Sequence, residues 1–242
     1  MGRERDSEHL ASKEIARREA IKKALREAEK GPMGGPILTV SRDFLSGGGT
    51  IANKLAAKLG WNLYDRELIE SIAADRKVDC RAIEEMDENV YRYIQEWANE
   101  IFLPGYVGQA GYMKALTRVL LSIVKDGNAI VIGRGAHLLI PTERRLAVRL
   151  IAPLPARIEN YVRRFGSTPE EARERIVAED RRRKEFLARN FKRDIDDPLG
   201  YDLVINTAEM DPNAIQQVIQ AALRSRFDLT ESALERLHPE TE

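Results

Sequence analysis

The sequence predicts an α/β fold, a five-stranded parallel sheet flanked by helices. Three observations carry that prediction. Short apolar runs begin near residues 37, 62, 129, 147 and 202, and segments with helical spacing of apolar residues separate them. Ile37–Val40, apart from Thr39, and Ala129–Ile132 are wholly apolar, as expected of strands buried on both faces. Strands that alternate with helices close a parallel sheet through right-handed crossovers, with helices on both faces.

Bulk properties bound the function. The 242 residues suit one medium domain with an appendage, or at most two small domains. Hydrophobic residues make up 43% and charged residues 32%, enough apolar material for a packed core. Lys+Arg and Asp+Glu balance at 39 each, so no overall basic field points to nucleic acid. Cys80 is the one cysteine, which excludes an internal disulfide framework and fits a reducing compartment. The charged N-terminus is not expected to be a signal peptide, and no run of about 18 apolar residues offers a membrane span. A cytoplasmic protein without a membrane partner is the expectation.

The elements follow in order. Residues 1–36 form a charged, helix-prone arm with a narrow stripe at Ile21, Ala24, Leu25 and Ala28, closed by a Gly/Pro linker. The arm reads as an element for homo-oligomerisation or a partner, or as a loose tail. Ile37–Val40 is the first strand. Gly47, Gly48 and Gly49 form a turn, and Ile51, Leu55, Ala56 and Leu59 then give a helix that Gly60 ends. Strand, glycine-rich turn and helix in that order make a phosphate-binding loop over Ser46–Thr50, since successive N–H groups and a helix N-terminus attract anions. The plainer alternative is a glycine turn without a ligand. No Lys stands beside these glycines, where G-x-x-x-x-G-K-[ST] would put it, and Gly48 holds that position. Arg42, at the start of the loop, is the candidate to supply the charge instead.

Trp61–Arg66 is the second strand, with Asp65 and Arg66 at its end as ligand candidates, or Asp65 as a helix cap. Val90, Ile94, Trp97 and Ile101 make one helical stripe, and Leu116, Val119, Leu120, Ile123 and Val124 another. Ala129–Ile132 ends in Gly133-Arg134-Gly135, where glycines permit close approach and Arg134 offers a planar fork for phosphate. Leu146–Ala152 is the fourth strand. Ile158, Tyr161, Val162 and Phe165 are expected to bury the next helix, with Gly166 at its end and a capping box over Ser167, Thr168, Glu170 and Glu171. Residues 169–193 are rich in Arg, including Arg181 and Arg183, and read either as a solvated face or as a lid that brings cations to phosphates. Tyr201–Asn206 is the fifth strand, and Asp211-Pro212 opens a last helix with Ile215, Val218, Ile219, Ala222 and Leu223 inward.

Val40-Ser41-Arg42 with Ser46-Gly47-Gly48, Tyr64-Asp65-Arg66-Glu67-Leu68-Ile69, Gly133-Arg134-Gly135-Ala136, Asp180 with Arg183, and Tyr201-Asp202-Leu203-Val204-Ile205-Asn206-Thr207 together resemble the cytidylate kinase-like family, a branch of the P-loop nucleoside monophosphate kinases. The resemblance covers about 37–226, which sets the expected domain, with a lid near 169–193 and a polar tail over 227–242. It implies a P-loop NTPase, nucleoside monophosphate kinase type of sheet. It implies ATP with Mg²⁺ as phosphate donor on Ser46, Gly47, Gly48, Gly49 and Thr50, although the sequence identifies no metal ligand. It implies a monophosphate acceptor, CMP or dCMP, between Asp65-Arg66 and Arg134, with Arg42, Arg134, Arg181 and Arg183 neutralising phosphates. Two functional readings stand: an ATP-dependent kinase of nucleoside monophosphates, and a catalytically weak or inactive kinase-like domain that binds nucleotide or phosphate as a regulatory module. An oligomeric scaffold built on the arm is the third and leaves the motifs unused.

Overall fold

The computed structural model describes residues 34–74 and 110–229. The expected arm over 1–30, the stripe from Val90 to Ile101, Cys80 and most of the C-terminal tail lie outside them. The strands are β1 (Ile37–Arg42), β2 (Asn62–Tyr64), β3 (Ala129–Ile132), β4 (Arg145–Ile151) and β5 (Leu203–Asn206). They form one five-stranded sheet in the order β2-β3-β1-β4-β5, and every pairing is parallel. The chain leaves β1 toward β2 on one edge and leaves β4 toward β5 on the other. The carboxyl ends of β1 and β4 therefore flank the crevice where open α/β sheets take ligands.

The described helices are α1 (Gly48–Leu59), α2 (Arg66–Ala74), α3 (Ala110–Asp126), α4 (Ala136–Leu139), α5 (Leu154–Phe165), α6 (Pro169–Phe191) and α7 (Pro212–Phe227). Side-chain alternation along the strands divides the core into two layers. Leu38, Val40, Ile130, Val148 and Leu150 meet Ile51, Leu55 and Leu59 of α1 and Ile215, Ile219 and Leu223 of α7. Ile37, Ala129 and Val131 meet Ile69 of α2, Leu116, Leu120 and Ile123 of α3, and Leu187 and Phe191 at the end of α6. Leu55 is fully buried, so Leu55→Ala would cost about 2–5 kcal/mol. No described helix is long and apolar enough to cross a membrane.

Local signals place the helix ends. Gly60 and Gly166 adopt left-handed backbone with φ of 63° and 68° and close α1 and α5. Thr168 and Glu171 complete a capping box on α6, and the Asp211 side chain accepts from the Asn213 N–H at the start of α7. Three expectations need correction. The glycines are not all turn: Gly47 caps α1, while Gly48 and Gly49 are already its first residues. On α5, Phe165 is 55% exposed and the buried residue is Arg157, because its guanidinium finds partners in the neighbouring loop. On α7, Val218 is 41% exposed, since it lies off the face on which Ile215, Ile219 and Leu223 are buried and Ala222 packs against the core.

Candidate active site

The chain between β1 and α1 holds the expected phosphate loop, and its hydrogen bonds set which groups face outward. Ser46 is buried, and its hydroxyl lies 3.1 Å from the Asp43 carbonyl and 3.2 Å from that of Leu150. The side chain therefore anchors the loop to β4. Thr207, just after β5, donates its hydroxyl to the Ser46 carbonyl at 2.6 Å. The loop bends through Leu45 and Gly47, with φ of 64° and 79°. Gly47 gives α1 no side-chain cap. The N–H groups of Gly48, Gly49 and Thr50 have no turn before them to accept, and none has a partner among the described residues. An uncapped helix N-terminus behind a glycine-rich turn suits a phosphate.

Gly48 is also where a loop Lys would stand. A Cβ there would lie 3.0 Å from Arg42 Cβ and 3.2 Å from Leu150 Cδ1. The loop is packed around the missing side chain. Arg42 fills the neighbouring space, and its Nη1 would lie 3.3 Å from a Cβ on Gly133. Its guanidinium thus reaches across from β1 to the end of β3. No hydrogen bond or ion pair to that guanidinium occurs among the described residues. Burial, with Arg183 nearby, pushes its pKa down to about 10, against the pull of Asp65 and Glu67. A half-buried cation without a partner is costly unless an anion arrives.

Arg134 stands at the end of β3 in a different setting. Gly133, Arg134 and Gly135 all have positive φ, of 81°, 54° and 67°. A Cβ on Gly135 would lie 2.4 Å from the Phe191 ring, so only glycine fits there. The Arg134 guanidinium pairs with Glu70 of α2 and stacks 4.8 Å over Phe186 of α6. Its Nε is buried without an acceptor. Burial, then Arg66, lowers its pKa to about 10. Glu70 also lies 3.5 Å from Arg66. Asp65 accepts the Leu68 N–H at 2.9 Å, the capping role weighed above.

Helix α6 supplies more than surface charge. Arg183 donates to the Arg42 carbonyl at 2.9 Å and stacks 5.3 Å over Phe44, and burial lowers its pKa. Asp180 accepts the Phe44 N–H at 3.0 Å and pairs with Arg157. Arg181, by contrast, is exposed and pairs with Glu185 at 2.9 Å, at the rim of a cavity of about 410 Å³ between α6 and the loop. The structure thus brings Arg42, Arg134 and Arg183 to one end of the sheet and leaves Arg181 at the edge. Sequence reasoning passed over Arg149 and Asp43. Arg149 is buried on β4 and reaches Asp43 at 2.7 Å and Asp196 at 3.1 Å. Nothing in the sequence marks this pair, because its members meet only when β1 and β4 lie side by side.

The residues present fit the phosphates of a nucleotide: among the described residues the N–H groups of Gly48–Thr50 and the Arg42 guanidinium have no partner, and Arg42 packs against Gly48. A dedicated metal cage is a poorer fit. Among the described residues no group of three or more His, Cys, Asp or Glu side chains gathers, and Asp43 and Asp180 already accept from arginines. Mg²⁺ at nucleotide sites takes most of its ligands from phosphates and water.

Comparison with known proteins fits this geometry. The model of the cytidylate kinase-like family matches residues 37–209. The cytidylate kinase of Pyrococcus furiosus is 26% identical over 193 residues, covering 79% of this chain and 90% of that protein. That of Pyrococcus abyssi is 25% identical over 198 residues, covering 81% and 98%. Other matches are partial. The match spans 57% of the Pyrococcus horikoshii cytidylate kinase, and 22% of a uronate isomerase from Corynebacterium glutamicum at 31% identity over 113 residues. A crystal structure of an uncharacterized protein from Eubacterium ventriosum shares the fold, with TM-score 0.57 and 17% identity over 78% of this chain and 98% of that one. The parallel sheet, the glycine loop after β1 and a family match over well more than half of the residues lead to one assignment: the chain belongs to the cytidylate kinase-like family.

Proposed function

We propose that the chain transfers the γ-phosphoryl group of ATP to a nucleoside monophosphate, with CMP or dCMP as acceptor. The observation that carries the reading is Arg42, a half-buried cation with no hydrogen bond or ion pair among the described residues, beside the uncapped N-terminus of α1. Donor phosphates bind the N–H groups of Gly47–Thr50, and Arg42 neutralises the charge that a loop Lys usually meets. The acceptor phosphate lies between Arg134 and the Asp65-Arg66 corner. One of its oxygens attacks the γ-phosphorus, the bond to the β-phosphate oxygen breaks, and ADP leaves with that electron pair. The acceptor is a dianion near neutrality, so the step needs no strong base. Positioning and charge neutralisation supply most of the rate in such transfers. Mg²⁺, when bound with ATP, adds charge neutralisation at the phosphates. An ATP-using enzyme fits a cytoplasmic location, and residues 1–36 remain the candidate for self-association.

The crowding at Gly48 supports a second reading, a kinase-like domain that binds nucleotide as a regulatory module without efficient transfer. A coupled ADP-release assay over a panel of monophosphates separates the two. Turnover is expected with CMP or dCMP. Nucleotide binding with no turnover on any acceptor would reject the enzyme reading in favour of the module.

A further inference from the structure

Five consecutive carbonyls of the loop each have a donor, and four of the donors are side chains from distant elements. Arg183 of α6 donates to the Arg42 carbonyl at 2.9 Å. Arg157 of α5 donates to the Phe44 carbonyl at 3.3 Å, and Asn160 of the same helix to that of Leu45 at 3.1 Å. Thr207, after β5, holds the Ser46 carbonyl at 2.6 Å. Within the loop, the Ser46 hydroxyl serves the Asp43 carbonyl at 3.1 Å. Asp180 takes the Phe44 N–H at 3.0 Å and pairs with Arg157, which also donates to the Ala152 carbonyl at 2.9 Å.

Such a pattern has a consequence for an anion. Carbonyl oxygens repel phosphate and N–H groups attract it, so a loop that binds phosphate must turn its carbonyls away. Here four of the five carbonyls are turned toward a donor on α5, on α6 or after β5, and that of Asp43 toward the Ser46 hydroxyl. The first N–H groups of α1 have no partner among the described residues. Two of the donors are guanidinium groups, whose charge-assisted bonds are the stronger kind.

We propose that Asn160, Thr207 and the Asp180–Arg157 pair are positioning residues for the donor phosphates: they hold the loop carbonyls outward and so preform a phosphate site that has no loop Lys. The proposal rests on the donor-loop reading above. The Arg-rich helix, in this view, works partly as a scaffold of the loop and not only as a source of cations.

The test uses the full chain with Thr207→Val and Asp180→Asn, each close in shape to the original residue, and Asn160→Ala, which removes the donor. The first readout is amide hydrogen exchange of residues 43–47 in the ligand-free protein. Exchange there should quicken by about threefold or more while the strands keep their protection. The second is calorimetric affinity for ADP and, separately, for CMP. ADP binding should weaken by about tenfold, and CMP binding should stay within about twofold. Thr207→Ser should restore both readouts, since it returns the hydroxyl. Unchanged exchange in all three variants would overturn the positioning role, as would quickened exchange with unchanged ADP affinity. Parallel loss of ADP and CMP affinity would overturn it too, pointing to general destabilisation. A wild-type chain that binds no ADP would instead reject the donor-loop reading, and this proposal with it.

Discussion

Arg42 and Arg134 end adjacent strands, and both carry a guanidinium pKa pushed down to about 10 by burial. Their surroundings differ. Arg134 has a carboxylate, Glu70, and an aromatic face, Phe186. Arg42 has no hydrogen bond or ion pair among the described residues; Arg183 and Arg66 oppose its charge, and Asp65 and Glu67 favour it without pairing with it. A paired arginine stabilises the resting fold and must exchange its partner to bind a ligand. An unpaired one costs the fold something and is ready for an anion. On the proposed reading the donor loop is preset for phosphate, whereas the proposed acceptor corner holds a carboxylate, Glu70, where a phosphate would have to come.

The largest effect should follow Arg42→Ala. ADP release should fall by at least about 100-fold, as for other arginines at transferring phosphates, while the melting temperature stays level or rises. A drop in both would mean that Arg42 has a structural partner after all. Arg134→Ala should raise the acceptor KM, and so lower kcat/KM for the acceptor, by about tenfold or more. It should also cost about 1 kcal/mol in a denaturant melt, because a stacked and paired guanidinium is lost. Loss of stability in Arg42→Ala and not in Arg134→Ala would reverse the comparison. A smaller change is expected from Glu70→Gln: the acceptor KM should fall by about threefold with the ATP KM unchanged. A higher acceptor KM would show that Glu70 helps the acceptor to bind.

Titration gives the weakest effect. Both arginines titrate near 10 when folded and higher when unfolded, so the folded chain binds fewer protons than the unfolded one only from about pH 10 upward. These two arginines therefore make stability rise with pH only above about 10 and leave it flat from pH 6 to 9. Turnover should be flat over the same range and fall below about pH 6, where the acceptor monophosphate gains its second proton. A loss of turnover between pH 7 and 9 would place some other titrating group at the site.

Much of the fold was legible because buried parallel strands are apolar runs. Ile37–Val40 and Ala129–Ile132 could hardly be read otherwise. Helix faces were less legible where a charged residue goes inside. The buried position on α5 is Arg157, whose partners Phe44 and Asp180 lie 113 and 23 residues away in sequence. Periodicity counts apolar residues, so it favoured Phe165 over Arg157. At the site, the glycines and the strand-end arginines stood out as residue types that packing does not call for. Asn160 and Thr207 did not, although Thr207 closes the motif Tyr201–Thr207. Their importance lies in which backbone carbonyl they meet, and that is set by tertiary placement alone. Glu70 was hidden for the same reason, since a Glu on an amphipathic helix ordinarily faces water.

The claim that an unpartnered Arg42 takes over from the loop Lys is tested most directly by the rate of ADP release at saturating ATP and CMP. Wild type, Arg42→Lys and Arg42→Ala would be compared side by side. Wild type should turn over, the Lys variant should keep a measurable part of the rate, and the Ala variant should lose about 100-fold or more. An Ala variant as fast as wild type would contradict the claim.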